Sequence, residues 1–202
     1  MGLIRILEEV SKEKYFKIYP VVQASDIKEI SELTSLDIWT QHIDPIEAGA
    51  HTGAILAEAV FEDGAKGTFL NHSEKKFSNF EDLIKANQRA KAVGLKTLIF
   101  AADLTELRKV SDLKPDYVAY EPPELVGSTT SSVSTAHPDV IAKAYDITKP
   151  LNLPLIIGAG VHSREDVITG IKLGAVGVAV ATDVVKAEDP GKELRDLVEG
   201  FK

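Results

Sequence analysis

One feature constrains this chain more than any other: short apolar runs alternate with longer amphipathic stretches from one end to the other, with no linker-like interruption. Seven runs read as strands, at residues 16–22, 37–41, 66–71, 96–101, 116–121, 154–158 and 176–181. Interiors such as Thr97-Leu98-Ile99-Phe100, Leu155-Ile156-Ile157 and Val178-Ala179-Val180 are continuously apolar, as expected of parallel strands covered on both faces. The intervening stretches carry helix-start chemistry. Ser78 and Glu81 have capping-box spacing, Ser163 and Asp166 a looser version, and Asp189 precedes a first-turn proline. Leu83, Ala86, Ala90 and Val93 keep an apolar stripe that Gly94 terminates, and eight helices are expected in all. Repeated βα units leave two architectures, an open doubly wound sheet or a closed (β/α)8 barrel, and periodicity does not separate them. The first element, residues 1–13, reads as a helix with Leu3, Leu7 and Val10 on one face, so a strand is missing where the repeat should open.

Length and composition narrow the function classes. A chain of 202 residues predicts one domain, residues 1–202. With 23 basic against 31 acidic residues the net charge of −8 repels phosphate backbones and anionic bilayers, which argues against nucleic acid and membrane partners. The absence of cysteine excludes disulfides, a thiolate nucleophile and cysteine-based metal sites. No run approaches the roughly 18 apolar residues of a membrane span, and no leader pattern follows Met1, so a soluble, cytoplasmic protein is the default expectation.

In βα folds the chemistry collects on loops after the carboxyl ends of strands. Those loops here are Asn71-His72-Ser73-Glu74, Glu121-Pro122-Pro123-Glu124, Gly158-Ala159-Gly160 and Ala181-Thr182-Asp183. Each element has a plain reading: a strand-end histidine is often a structural hydrogen-bonder, Glu121 a solvated acid, and the glycine loop a tight turn. Their combination is more specific. A neutral imidazole, a carboxylate aimed by a following Pro-Pro, and bare backbone amides that can hold an anion suit proton abstraction beside a carbonyl in a small phosphorylated substrate. The remaining histidines, His42, His51, His137 and His162, lack metal-ligand spacing, and no metal or cofactor is expected. Trp39 and Tyr120 read as packing residues.

Five ordered motifs span almost the whole chain: Gln41-His42-Ile43-Asp44-Pro45, Gly49-Ala50-His51-Thr52-Gly53, Leu70-Asn71-His72-Ser73-Glu74, Glu121-Pro122-Pro123-Glu124-Leu125-Val126-Gly127 and Gly158-Ala159-Gly160. In order and spacing they closely resemble the archaeal type of triosephosphate isomerase. The resemblance implies a (β/α)8 TIM barrel, here lacking strand 1, that interconverts dihydroxyacetone phosphate and glyceraldehyde 3-phosphate through an enediolate without cofactor or metal. It implies Glu121 as the base and a neutral His72 as the group polarising the carbonyl. Val126 and Gly127 would belong to a lid, a device for which this family is itself the standard example. Gly160, Ala181 and Thr182 would complete the phosphate cradle, and Thr52 matches a loop that reaches a neighbouring subunit, implying a homo-oligomer, a dimer or tetramer.

The chain departs from that pattern chiefly at its start and, in a smaller way, at Asp183. The family's first strand ends in Asn-x-Lys, with the lysine beside substrate, and no such strand precedes the first helix. Phe16-Lys17-Ile18-Tyr19 looks superficially similar, but Lys17 falls at the start of a strand, the wrong end for chemistry. Without that cation Glu74 loses its expected partner, and losses of this kind commonly cost about 10²-fold or more in rate. Asp183 also puts a carboxylate beside the last phosphate loop, where a small residue is usual, and this weakens anion binding unless the group points away. The leading expectation is a working isomerase whose N-terminus has been truncated, for instance by a start codon placed too late. The alternative is a non-catalytic homologue that binds a phosphorylated ligand or serves subunit assembly.

Overall fold

The structure, a computed structural model, describes residues 2–13, 15–122 and 138–202. It resolves into two compact units, residues 18–99 and residues 1–17 with 100–202.

In the unit of residues 18–99 four parallel strands follow one another in chain order: β1 (Val21–Val22), β2 (Trp39–Thr40), β3 (Gly67–Leu70) and β4 (Lys96–Ala101), whose last two residues belong to the other unit. Helices α2 (Ile27–Leu33), α3 (Ala57–Glu62) and α4 (Phe80–Val93) connect them. Trp39 stands opposite Gly67, where a Cβ would come within 2.4 Å of the indole, so glycine is required for the ring to lie flat on β3. The apolar stripe of α4 packs as its spacing predicts, with Leu83, Ala86 and Ala90 buried, and Gly94 ends the helix at φ +94. The start of α4 corrects the sequence reading. Asn79, not Ser78, caps the helix, its side-chain oxygen accepting from Asp82 N–H at 2.9 Å. Both residues can cap, and the extended backbone of Asn79 (φ −151, ψ 164) decides which one does.

In the other unit α1 (Gly2–Val10) packs on the C-terminal helix α9 (Pro190–Glu199). Strands β5 (Tyr117–Tyr120), β6 (Leu155–Ile157) and β7 (Gly177–Val178) are parallel and again in chain order. α5 (Leu104–Ser111) precedes β5, α6 (Pro138–Thr148) and α7 (Arg164–Lys172) connect the three strands, and the four-residue α8 (Thr182–Val185) follows β7. Two predicted caps are in place: Ser163 accepts from Asp166 N–H, and Asp189 accepts from Lys192 N–H at 3.0 Å ahead of Pro190. β4 is buried without interruption from Leu98 to Ala101, and β5 from Val118 to Tyr120.

The order of elements is therefore that of a (β/α)8 chain entered at a helix, with seven strands among the described residues, as the sequence predicts. Nine α-helices lie among the described residues, against the eight expected, the shortest being α8. No described helix is long and apolar enough to cross a membrane.

Candidate active site

In the unit of residues 18–99, His72 follows the end of β3 after one intervening residue and opens a 3₁₀ turn over Ser73–Lys75. The residue before it, Asn71, is buried and left-handed at φ +60, a conformation asparagine tolerates better than most side chains. That reversal ends the strand and turns the next side chain out. The His72 ring is then fixed by its own turn, because Nδ1 accepts from Glu74 N–H at 3.2 Å. In the neutral ring the proton therefore sits on Nε2, which makes Nε2 a donor. The Glu74 carboxylate lies 3.7 Å from His72 Nδ1 with its side chain 83% exposed. Its charge is thus in water, not buried without compensation.

Two other predicted groups in this unit hold loops. His42, at the end of β2, is buried, its ring lies against Phe77, and its Nε2 is 3.3 Å from Asp44 Oδ1. Burial pushes its pKa below the usual histidine value, against the opposing pull of Asp44. Asp44 closes the following loop twice, its N–H donating to Ile55 O at 2.9 Å and its Oδ2 accepting from Ile55 N–H at 2.7 Å. Thr52 is carried on the exposed part of that loop. Lys17, in the other unit, is exposed and precedes β1 in the chain.

In the other unit Glu121 follows β5, only 3% exposed, its N–H donating to Ala101 O at 2.9 Å. A Cβ at Gly158 would lie 3.3 Å from Glu121 Cβ, 3.5 Å from Oε1 and 3.1 Å from the Phe100 ring. The absence of a side chain at Gly158 is therefore what gives the carboxylate its place. Gly160 turns the loop after β6 at φ +60, and Ala181 and Thr182 begin α8 after β7, both exposed. Among the described residues, Glu121, Gly160, Ala181 and Thr182 thus follow the carboxyl ends of β5, β6 and β7. Val126 and Gly127, predicted for the lid, lie outside the described residues, as does His137.

Sequence reasoning set one pair aside. His162 Nδ1 and Asp183 Oδ1 are 2.9 Å apart, so the carboxylate feared beside the phosphate loop is engaged by an imidazole. The available signal was position: His162 is two residues past Gly160, and Asp183 is one past Thr182.

Comparison with known proteins places the chain. The family model described as "Triosephosphate isomerase" matches residues 3–200. A triosephosphate isomerase from Saccharolobus solfataricus is 42% identical over 201 residues, 98% of this chain and 87% of the relative. The one from Methanocaldococcus jannaschii is 38% identical over 200 residues, 98% and 90%. The one from Metallosphaera sedula is 40% identical over 201 residues, 99% and 87%. A match of this extent, carried by a chain whose strand ends present His72 and Glu121, makes the chain a member of the triosephosphate isomerase family.

Proposed function

We propose that the protein interconverts dihydroxyacetone phosphate and glyceraldehyde 3-phosphate, with Glu121 as the base and His72 as the neutral electrophile. The observation that carries this reading is the lock on His72: Glu74 N–H occupies Nδ1, so the neutral ring offers Nε2–H. A donor aimed at a substrate oxygen stabilises the negative charge that develops there as the C–H bond breaks. Glu121 takes a proton from C1 of the ketose, leaving an enediolate; His72 Nε2 gives its proton to O2 and recovers one from the O1 hydroxyl, and Glu121 returns the carbon proton to C2 to give the aldose. The burial of Glu121 favours such proton transfer by excluding water. Gly160, Ala181 and Thr182, with Val126 and Gly127 of the lid, bind the phosphate through backbone groups.

The chain acts as a single domain, unfolding in one transition, in the cytoplasm. It forms a homo-oligomer through the loop that carries Thr52. Analytical ultracentrifugation of the wild-type chain and of Thr52→Arg checks the last point, an unchanged sedimentation coefficient arguing against it. For the reaction itself, a coupled isomerase assay of wild type and Glu121→Asp is expected to show kcat falling by about 10²-fold or more. Unaltered turnover removes Glu121 from the mechanism.

A further inference from the structure

The two loops assigned to phosphate, after β6 and after β7, are joined by a pair of side chains that the reaction does not use. β6 and β7 stay in register through Ile157 and Val178, and Ala179 N–H still donates to Ile157 O at 2.8 Å. Beyond that point one strand end runs through Gly160 at φ +60, the other through Ala181 at φ −134, ψ −74. The 2.9 Å bond from His162 Nδ1 to Asp183 Oδ1 then links them again, across 21 residues of chain.

Both partners stand on anchored backbone. His162 N–H donates to Asp166 Oδ2 at 3.1 Å, and Asp166, buried, also accepts from Ser163 Oγ at 2.9 Å. Asp183 lies in the single turn of α8, where Ala181 O accepts from Val184 N–H at 3.1 Å and from Val185 N–H at 2.8 Å. A carboxylate only accepts, so His162 carries its proton on Nδ1. Its Nε2 is buried with no hydrogen-bond partner among the described residues, which leaves the Asp183 bond as the ring's polar anchor.

The surrounding charge gives the bond a second consequence. His162 and Asp183 line a cavity with Glu188, Asp189, Lys192 and Glu193, so three more carboxylates accompany Asp183 there and one lysine opposes them. A carboxylate one residue past Thr182, if unrestrained in such a neighbourhood, repels a phosphate dianion.

We infer that His162 and Asp183 form a positioning pair for phosphate: the imidazole keeps the Asp183 carboxylate turned toward itself and away from an anion held by the loops bearing Gly160 and Thr182. The inference rests on the proposed assignment of those loops to phosphate. It makes an asymmetric demand. Removing His162 alone frees the Asp183 charge, whereas removing both partners takes the charge away, so the double variant should bind phosphate better than the single one.

The test is a calorimetric titration of the full chain with inorganic phosphate, using wild type, His162→Ala and His162→Ala/Asp183→Gly, alongside steady-state kinetics with dihydroxyacetone phosphate. His162→Ala is expected to weaken phosphate binding about tenfold or more, the scale of a charge-assisted hydrogen bond, and to raise KM with little change in kcat. The double variant should return to within about threefold of wild type, a recovery that loss of a merely structural bond does not give. Should His162→Ala fail to fold, Asp183→Asn keeps an acceptor for the imidazole without the charge and should bind phosphate at least as tightly as wild type. The inference alone is overturned if wild type binds phosphate while His162→Ala matches it, if the double variant is no better than the single, or if Asp183→Asn binds tenfold more weakly. A wild-type chain that neither binds phosphate nor turns over substrate overturns the assignment of the loops, and this inference with it.

Discussion

Strands β5 and β7 end in groups assigned to one reaction, yet they hold those groups in different ways. β5 is hydrogen-bonded on both sides: Glu121 N–H donates to Ala101 O beside it on β4, and Val118 N–H donates to Pro154 O ahead of β6. Val118 and Ala119 are fully buried, and Glu121 at the strand end is nearly so. β7 is two half-buried residues long, is paired with β6, and leads into a single helical turn with Ala181 and Thr182 exposed and Val185 62% exposed. The contrast follows the demands of the chemistry. Proton transfer loses rate when a base is displaced by a fraction of an ångström, whereas an anion held by several amides tolerates a softer seat. Changes at β5 should therefore appear in kcat, and changes at β7 in phosphate affinity.

The largest expected effect is at the base. Glu121→Gln should lower kcat by about 10³-fold, the middle of the range for removal of a general base, while calorimetry with inorganic phosphate shows unchanged affinity. An equal loss in both would erase the distinction between the two strand ends. Amide hydrogen exchange reads the same contrast without mutation. The amides of Val118 and Glu121 should exchange about 100-fold more slowly than those of Gly177 and Val178, and equal protection would show β7 to be as firmly held as β5. Gly158→Ala sharpens it further. The new methyl group, 3.3 Å from Glu121 Cβ and 3.1 Å from the Phe100 ring, must displace one of them, so kcat should fall about tenfold with KM nearly unchanged. An unaffected kcat would mean that Phe100 yields instead.

The smallest expected effect lies at a third strand end, that of β2, where firmness depends on protonation. Burial lowers the His42 pKa below its ordinary value of 6.5, so the unfolded chain binds the proton more readily than the native one. The sign follows: the contribution of His42 to stability is full above about pH 6.5 and is lost as pH falls through the lowered native value. Urea denaturation at about pH 7.5 and about pH 5.5 should show wild type losing more stability on acidification than His42→Gln. Identical losses would mean that the ring titrates alike in the folded and unfolded chain.

What was readable in advance depended on the range of the forces involved. The strands that contain β4, β5 and β6 were legible because burial on both faces leaves a continuous apolar run in the sequence itself. Ser163 and Asp189 were legible because a cap is written within four residues of the helix it starts. The cap of α4 was misread at Ser78 because adjacent Ser78 and Asn79 carry equivalent chemistry, and the choice lies in backbone angles. The ladder at β1 is shorter than the expected run over 16–22. Aromatic residues favour strands in general, but here Phe16 stacks near Phe201 and Tyr19 lies 5.5 Å from Trp39, so tertiary packing accounts for them. The left-handed Asn71 left no local mark, and the pairing of His162 with Asp183 was marked only by the place of each beside a predicted loop. One is a single dihedral, and the other joins residues 21 positions apart.

The account stands on Glu121 moving a carbon-bound proton, and proton NMR of dihydroxyacetone phosphate in deuterium oxide observes that step directly. With the wild-type chain, deuterium should enter the substrate carbon as glyceraldehyde 3-phosphate forms, and with Glu121→Gln both should fall together by about 10³-fold. Incorporation by Glu121→Gln at the wild-type rate would contradict the assignment of the base.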